Sequence, residues 1–246
     1  MPYSLEYVYT CHRGKVRSAN QDNLLCGNRC LPAEHGSMES IAAGEATSEE
    51  SPLFAVFDGM GGEEMGEMAS CIAAETLRSW HLQGRKTPLT EAFMESNRRI
   101  NRFTEEHHLN TCGTTAAVLL FDNAGAVRCD IGDSRIFRFR GGETERISVE
   151  DVYPSDGFRK PPLLQFLGIP ESEMIIEPHT GCYTVQKGDC FLICSDGLTD
   201  MIGEGAIGEI LRNPALIETG KTLLQAALDA GGKDNITFVL IRVREK

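Results

Sequence analysis

The sequence predicts an α+β fold, antiparallel sheet with helices on its outside, on three observations. Strand patterns follow one another through short turn signals. Helical patterns come in pairs between those runs of strands. No alternation of single strands with single helices runs through the chain. In order, residues 5–10 ("LEYVYT") and 22–26 ("DNLLC") read as short strands. Residues 27–51 hold Gly, Pro, Ser, His and Glu with little periodicity, and are expected as an exposed acidic loop. "LFAVF" at 53–57 is apolar throughout, which marks a strand buried on both faces. From Glu63 to Leu82 the period changes: Met65, Met68, Ala69, Ile72, Ala73, Leu77 and Trp80 recur at helical spacing, and Glu63 and Glu64 suit the positive end of that helix. A second helix is expected from about Pro88 to Glu106, with Leu89, Phe93, Ile100 and Phe103 on one face and Pro88 at its first turn.

The second half repeats this grammar. "TTAAVLLF" and "AVRCDIG" are strands joined by the hairpin signal "DNAG", and "RIFRFR" alternates polar with apolar before "GG" turns the chain. Residues 150–174 are irregular. Strands return at 182–186, 190–194 and 236–243, with helices expected over 203–212 and 214–230 between the last two. No internal repeat and no linker divides the 246 residues, so the expectation is one domain, 1–246.

Composition narrows the function. The chain is 41% hydrophobic and 24% charged, ordinary for a folded soluble domain. A net charge of −12 repels nucleic acid, whose binding rests on neutralising phosphates, and disfavours anionic membranes. No apolar run reaches the roughly 18 residues of a membrane helix. The N-terminus lacks the apolar stretch of a secretory signal, so a cytoplasmic location is expected. The nine cysteines fit that compartment: the number is odd, no CxxC occurs, and Cys190 and Cys194 share one face of an apolar strand. Cys26 and Cys30 fall in loop-like sequence and are expected at the surface; a zinc site there lacks two further ligands.

The chemistry lies in the aspartates. "FAVFDG" ends a buried strand at Asp58. Asp133 stands in a turn after a strand in "CDIGDSR", "FLICSDG" ends a strand at Asp196, "GGKDN" puts Asp234 before the closing strand, and Asp22 precedes another. Any one of them reads as a turn former. Five anionic groups at the ends of buried strands would repel one another if they met, and could cluster only around cations. An all-oxygen set with no histidine close by in the chain suits Mg²⁺ or Mn²⁺ rather than zinc. Gly59, without a side chain, lets its carbonyl face a metal and lets the chain bend sharply. Two hard cations bridged by one carboxylate activate water and clamp an oxyanion, chemistry used for phosphoryl hydrolysis. Arg17, on the segment that carries Asp22, offers a bidentate fork for a phosphate.

These residues stand in motifs that resemble the PPM-type protein serine/threonine phosphatases, also called protein phosphatase 2C, in their bacterial form. "VRSANQDN", "FAVFDGMGG" with "GEMAS" after it, "TCGTTAAVLLF", "CDIGDSRIFRFR", "CSDGLTDMI" and "GGKDNITFVLI" match the family's elements in order from residue 13 to 243. The resemblance implies a four-layer α-β-β-α sandwich, two antiparallel sheets flanked by helix pairs, with metals in a cleft at one end. It implies Mn²⁺ or Mg²⁺, two ions per chain and a third bound more weakly. Asp58 would bridge two ions, Asp196 and Asp234 would hold the first, and the Gly59 carbonyl the second, with Asp22 reaching it through water. Asp133 with Asp196 would hold the third. Arg17 would bind the substrate phosphate, and water would attack phosphorus without a phospho-enzyme. Phosphorylated proteins would be the substrates, a Ser/Thr kinase a partner, and the monomer the working unit. The alternative is a catalytically weak pseudophosphatase that binds phosphoproteins; a small-molecule phosphohydrolase is a further one.

Three positions depart from the family pattern. Gln21 replaces a glutamate, which should soften the metal site. Met60 stands where eukaryotic members carry a histidine, which leaves the general acid unassigned. Glu63 replaces a histidine often found after the glycine pair. The segment 146–177, short and proline-rich, resembles the family's flap beside the cleft.

Overall fold

A strand such as Leu53–Phe57 has no polar face to offer water, so it needs cover on both sides. The computed structural model, which describes residues 2–60, 65–154 and 161–245, supplies that cover. In chain order the strands are β1 (Tyr3–His12), β2 (Asn23–Cys26), β3 (Arg29–Cys30), β4 (Ala42–Thr47), β5 (Leu53–Phe57), β6 (Gly59–Met60) and β7 (Gly113–Thr114). They continue as β8 (Ala116–Asp122), β9 (Gly125–Ile131), β10 (Arg135–Arg140), β11 (Glu143–Arg146), β12 (His179–Tyr183), β13 (Cys190–Cys194) and β14 (Ile236–Glu245). The helices are α1 (Gly66–Leu82), α2 (Leu89–Glu106), the single turn α3 (Asp196–Thr199), α4 (Glu204–Leu211) and α5 (Leu216–Asp229).

Two six-stranded antiparallel sheets form. One runs β11-β10-β13-β14-β1-β4, the other β12-β9-β8-β5-β2-β3, and β6 pairs with β7 beside them. Side-chain alternation sorts each apolar strand into two cores. On β5, Phe54 and Val56 point between the sheets, while Leu53, Ala55 and Phe57 pack with Ala73, Leu77, Phe93 and Ile100 of α1 and α2. On β13, Phe191 and Ile193 point between the sheets, while Cys190, Leu192 and Cys194 face Ile207, Leu216 and Leu223 of α4 and α5. The order is therefore helix pair, sheet, sheet, helix pair. Across the sandwich Phe121 meets Phe54 edge-on at 5.9 Å between centroids and Phe191 at 5.4 Å. Such contacts are worth about 0.5–1.5 kcal/mol each beyond the area they bury, and here one of them bridges the two sheets.

Where sequence and structure differ, backbone pairing is the reason. The segment 27–51, expected as a loop, contributes β3 and β4 and a 3₁₀ turn at Ser48–Glu50. "AAGEAT" has no apolar alternation, yet pairs with β1 from Ser4↔Thr47 to Tyr9↔Ala42 and becomes an edge of its sheet. Cys26 is buried on β2 and Cys30 is half-buried on β3, against the expected exposure; all nine cysteines are free thiols. The strand expected at 182–186 lies at His179–Tyr183, because its register is set by β9. The first helix starts at Gly66; the expectation placed on Glu63 and Glu64 lies outside the described residues, as does part of the flap-like segment. No helix among the described residues is long and apolar enough to cross a membrane.

The register also decides where the site can be. Asn23 at the start of β2 pairs with Phe57 at the end of β5, and Val56 pairs with Ala117 near the start of β8. Ala116 pairs with Ile131 at the end of β9. In the other sheet Arg135 at the start of β10 pairs with Cys194 at the end of β13, which lies opposite Phe238 near the start of β14. The residues just beyond these ends therefore emerge at one end of the sandwich.

Candidate metal centre

Those residues are Asp22, Asp58, Gly59, Asp133, Asp196 and Asp234, joined by Arg17. Asp22 is 1% exposed and accepts a hydrogen bond at Oδ2 from Ser195 Oγ (2.9 Å). Ser195 is fixed in turn by the Thr237 amide, which donates to its hydroxyl at 3.1 Å. Burial raises the Asp22 carboxyl to about 7; hydrogen bonds from Thr237 and Ser195 pull it part-way back, and the charges of Asp196 and Asp234 push it up further. Asp22, Asp196 and Asp234 thus sense one another although 174 and more residues of chain separate the first from the others.

Arg17 stands among them. Its Nη2 donates to Asp234 Oδ2 at 2.6 Å, and half its side chain remains exposed. The Asp234 hydrogen bond, with the charges of Asp234, Asp58 and Asp196, holds its guanidinium more firmly protonated than usual, against the opposing effect of burial. Its loop is clamped on both flanks. Asn235 Oδ1 accepts from the Gln21 amide (2.9 Å), and Nδ2 donates to the carbonyls of Arg13 (2.9 Å) and Ala19 (3.0 Å). The Lys15 amide donates to Gly232 O at 2.7 Å, and a side chain at Gly14 (φ +81°) would overlap the Asp234 carbonyl.

Asp58 is held by its backbone. Its amide donates to Thr115 Oγ1 (3.0 Å), and its carbonyl accepts from the Thr115 amide (2.9 Å) and Thr114 Oγ1 (3.0 Å). Thr115 Oγ1 also meets Ser134 Oγ at 2.7 Å, which brings the turn of Asp133 alongside. Gly59 has a φ outside the left-handed region, so close packing and not backbone strain demands a glycine here. A side chain there would overlap the carbonyls of Gln21 and Gly66, so the glycine permits three backbones to meet. Gln21 Nε2 donates to Glu67 Oε2 of α1 at 3.1 Å, so the amide that replaces the family's glutamate is engaged with a neighbouring carboxylate.

Thr114, Thr115, Ser195 and Asn235 are functional supports without an expected role in the sequence; the strings "GTT", "CSDG" and "KDN" were the only signals. Gly197 is a further one. A Cβ there would overlap Asn235 O and lie 3.3 Å from Asp234 Cβ. Gly197→Ala is therefore expected to destabilise the fold by about 1–3 kcal/mol, the usual cost of overpacking. At about 2–4 °C per kcal/mol in a domain of this size, a melting temperature unmoved by the change would contradict that close approach.

The donor set is carboxylate and backbone carbonyl, hard oxygen throughout, as Mg²⁺ and Mn²⁺ require. The cost of burying several like charges together fits divalent cations as their counter-charge. Among the described residues, no three Asp, Glu, His or Cys side chains close into a ready metal cage. Asp234 takes the guanidinium of Arg17 as its counter-charge.

A sequence model of the protein phosphatase 2C family matches residues 42–237. The chain belongs to that family. Among its relatives, the serine/threonine protein phosphatase PstP of Mycobacterium tuberculosis is 30% identical over 257 residues, covering 97% of this chain and 45% of its own. This chain thus spans less than half the length of that relative. The serine/threonine phosphatase Stp of Listeria innocua is also 30% identical, with 93% of this chain and 92% of that protein covered. The crystal structure of the PstP catalytic domain in complex with two manganese ions superposes with a TM-score of 0.76 at 28% identity, covering 100% of both chains. Members of the family with known structure share the two-sheet architecture described above.

Proposed function

We propose that this chain hydrolyses phosphoserine and phosphothreonine on proteins with Mn²⁺ or Mg²⁺, by direct attack of water on phosphorus. The observation that carries this reading is the gathering of five carboxylates from distant segments at one end of the sandwich, with an arginine among them. Asp58, Asp196 and Asp234 would hold the two ions, with the Gly59 carbonyl and Asp22 completing the second site. Asp133 with Asp196 would hold a third, weaker one. When bound, the ions supply Lewis acidity and activate the attacking water. Arg17 presents its unused N–H groups to a phosphate while Asp234 fixes its orientation. The Thr115 and Asn235 clamps keep these groups in place without reorganisation.

Protein substrates are favoured by the relatives, which carry the name of serine/threonine protein phosphatases. A cytoplasmic, monomeric enzyme that opposes a Ser/Thr kinase is the setting this reading supports. Its test is turnover of a phosphothreonine peptide and of para-nitrophenyl phosphate in Mn²⁺. Tight peptide binding without turnover would favour a pseudophosphatase instead. Arg17→Ala removes a charged hydrogen-bond donor worth about 1.5–3 kcal/mol, so KM for phosphate substrates is expected to rise roughly tenfold or more, with a smaller fall in kcat. An unchanged KM would take Arg17 out of the phosphate site.

A further inference from the structure

Beneath the Gly132–Asp133 turn lies a buried carboxylate that the proposed chemistry does not use. Asp151, 4% exposed, sits in the segment that resembles the family's flap. Its Oδ2 accepts from the Gly132 amide at 3.0 Å. Its Oδ1 accepts from Gln165 Nε2 at 3.1 Å and from His179 Nε2 at 2.8 Å. The Asp151 amide donates to Gly132 O at 2.9 Å, and its carbonyl accepts from the Leu164 amide at 2.7 Å. Gln165 is anchored in turn, its Oε1 accepting from the Glu177 amide at 2.7 Å. One side chain thus joins three parts of the chain: the turn before Asp133, the flap-like segment at 164–165 and the start of β12.

Gly132 passes the constraint on. It has φ +96°, and a Cβ there would lie 2.7 Å from Thr115 Cγ2, so the turn is pressed against the residue that holds the Asp58 backbone. A displaced Gly132 would move Asp133 on one side and crowd Thr115 on the other. Both Asp151 oxygens are committed, and a buried network of this kind tolerates no missing partner.

We propose that Asp151 is a positioning residue: it sets the Gly132–Asp133 turn for cation binding and ties the segment around Gln165 to that turn. The metal part rests on Asp133 as a ligand of the weaker ion. The test compares Asp151→Ala, Asp151→Asn and Asp133→Asn with the unaltered protein. Hydrogen exchange at the Gly132 amide reads the turn without any metal, and titration calorimetry reads Mn²⁺ binding. In Asp151→Ala the Gly132 amide should exchange at least about tenfold faster, and the weakest Mn²⁺ phase should need about tenfold more metal, the lower end of what outer partners of a ligand contribute. Activity should return in excess Mn²⁺, with KM for para-nitrophenyl phosphate unchanged. Asp151→Asn keeps the volume and one acceptor, so it gives a smaller shift in the same direction and serves if the alanine variant does not fold. A merely structural Asp151 would lower the melting temperature of the chelated protein and leave the Mn²⁺ requirement unmoved; that result overturns the proposal, as does unchanged exchange at Gly132. If Asp133→Asn leaves Mn²⁺ binding untouched, the ligand role of Asp133 falls, and the exchange measurement alone judges Asp151.

Discussion

Chelation by EDTA is expected to reduce phosphate-ester turnover to about a thousandth or less, and added Mn²⁺ to restore it. The size follows from what the cations do to water. Bound to a divalent ion, its pKa falls from about 15.7 toward about 7, a change that no side chain of the cluster can imitate. Arg17 is a cation with nothing to give a nucleophile, and the aspartates are acceptors. A second readout does not depend on activity. Ions that bind only the folded chain stabilise it by about 2.7 kcal/mol at a hundred times their dissociation constant. The melting temperature should therefore rise in Mn²⁺ by roughly 5–10 °C for a domain of this size. Turnover that survives complete removal of metal would end the proposed mechanism.

Asp58→Asn is the sharpest substitution. Three hydrogen bonds of Asp58 use its backbone and persist in the variant, while the side chain keeps its shape and loses its charge. Losing an outer partner of a metal ligand costs about 10–100-fold, so losing the carboxylate proposed to bridge the ions should cost kcat/KM more than about a hundredfold. The chelated variant should melt no lower than the unaltered protein, because one of several crowded like charges has gone. Near-normal activity with Asn at this position would remove Asp58 from the centre of the chemistry.

The sequence disclosed what depends on side-chain period and hid what depends on pairing. β5 and β13 were legible because a run with no polar face admits few fates. β4 was not: Ala42–Thr47 has no apolar rhythm and becomes a strand only because β1 offers it a free edge. The aspartates were legible as a set, each at a strand end. Their supports were not, because a threonine 57 residues from Asp58 looks like any strand threonine until the register of β5 and β8 sets it opposite. Gly59 was noticed, but only part of the reason for it was legible. Its lack of a side chain serves contact among three backbones, a property of the packed structure that no local pattern encodes.

The pairing of β1 with β14, and the Arg17–Asp234 contact beside it, have a bearing on biosynthesis. Arg17 and Asp234 are 217 positions apart. A nascent chain on the ribosome therefore carries Arg17 long before the carboxylate that pairs with it has been made. The Arg17–Asp234 pair therefore cannot form until the last strand, which follows Asp234, has been made and pairs with the first.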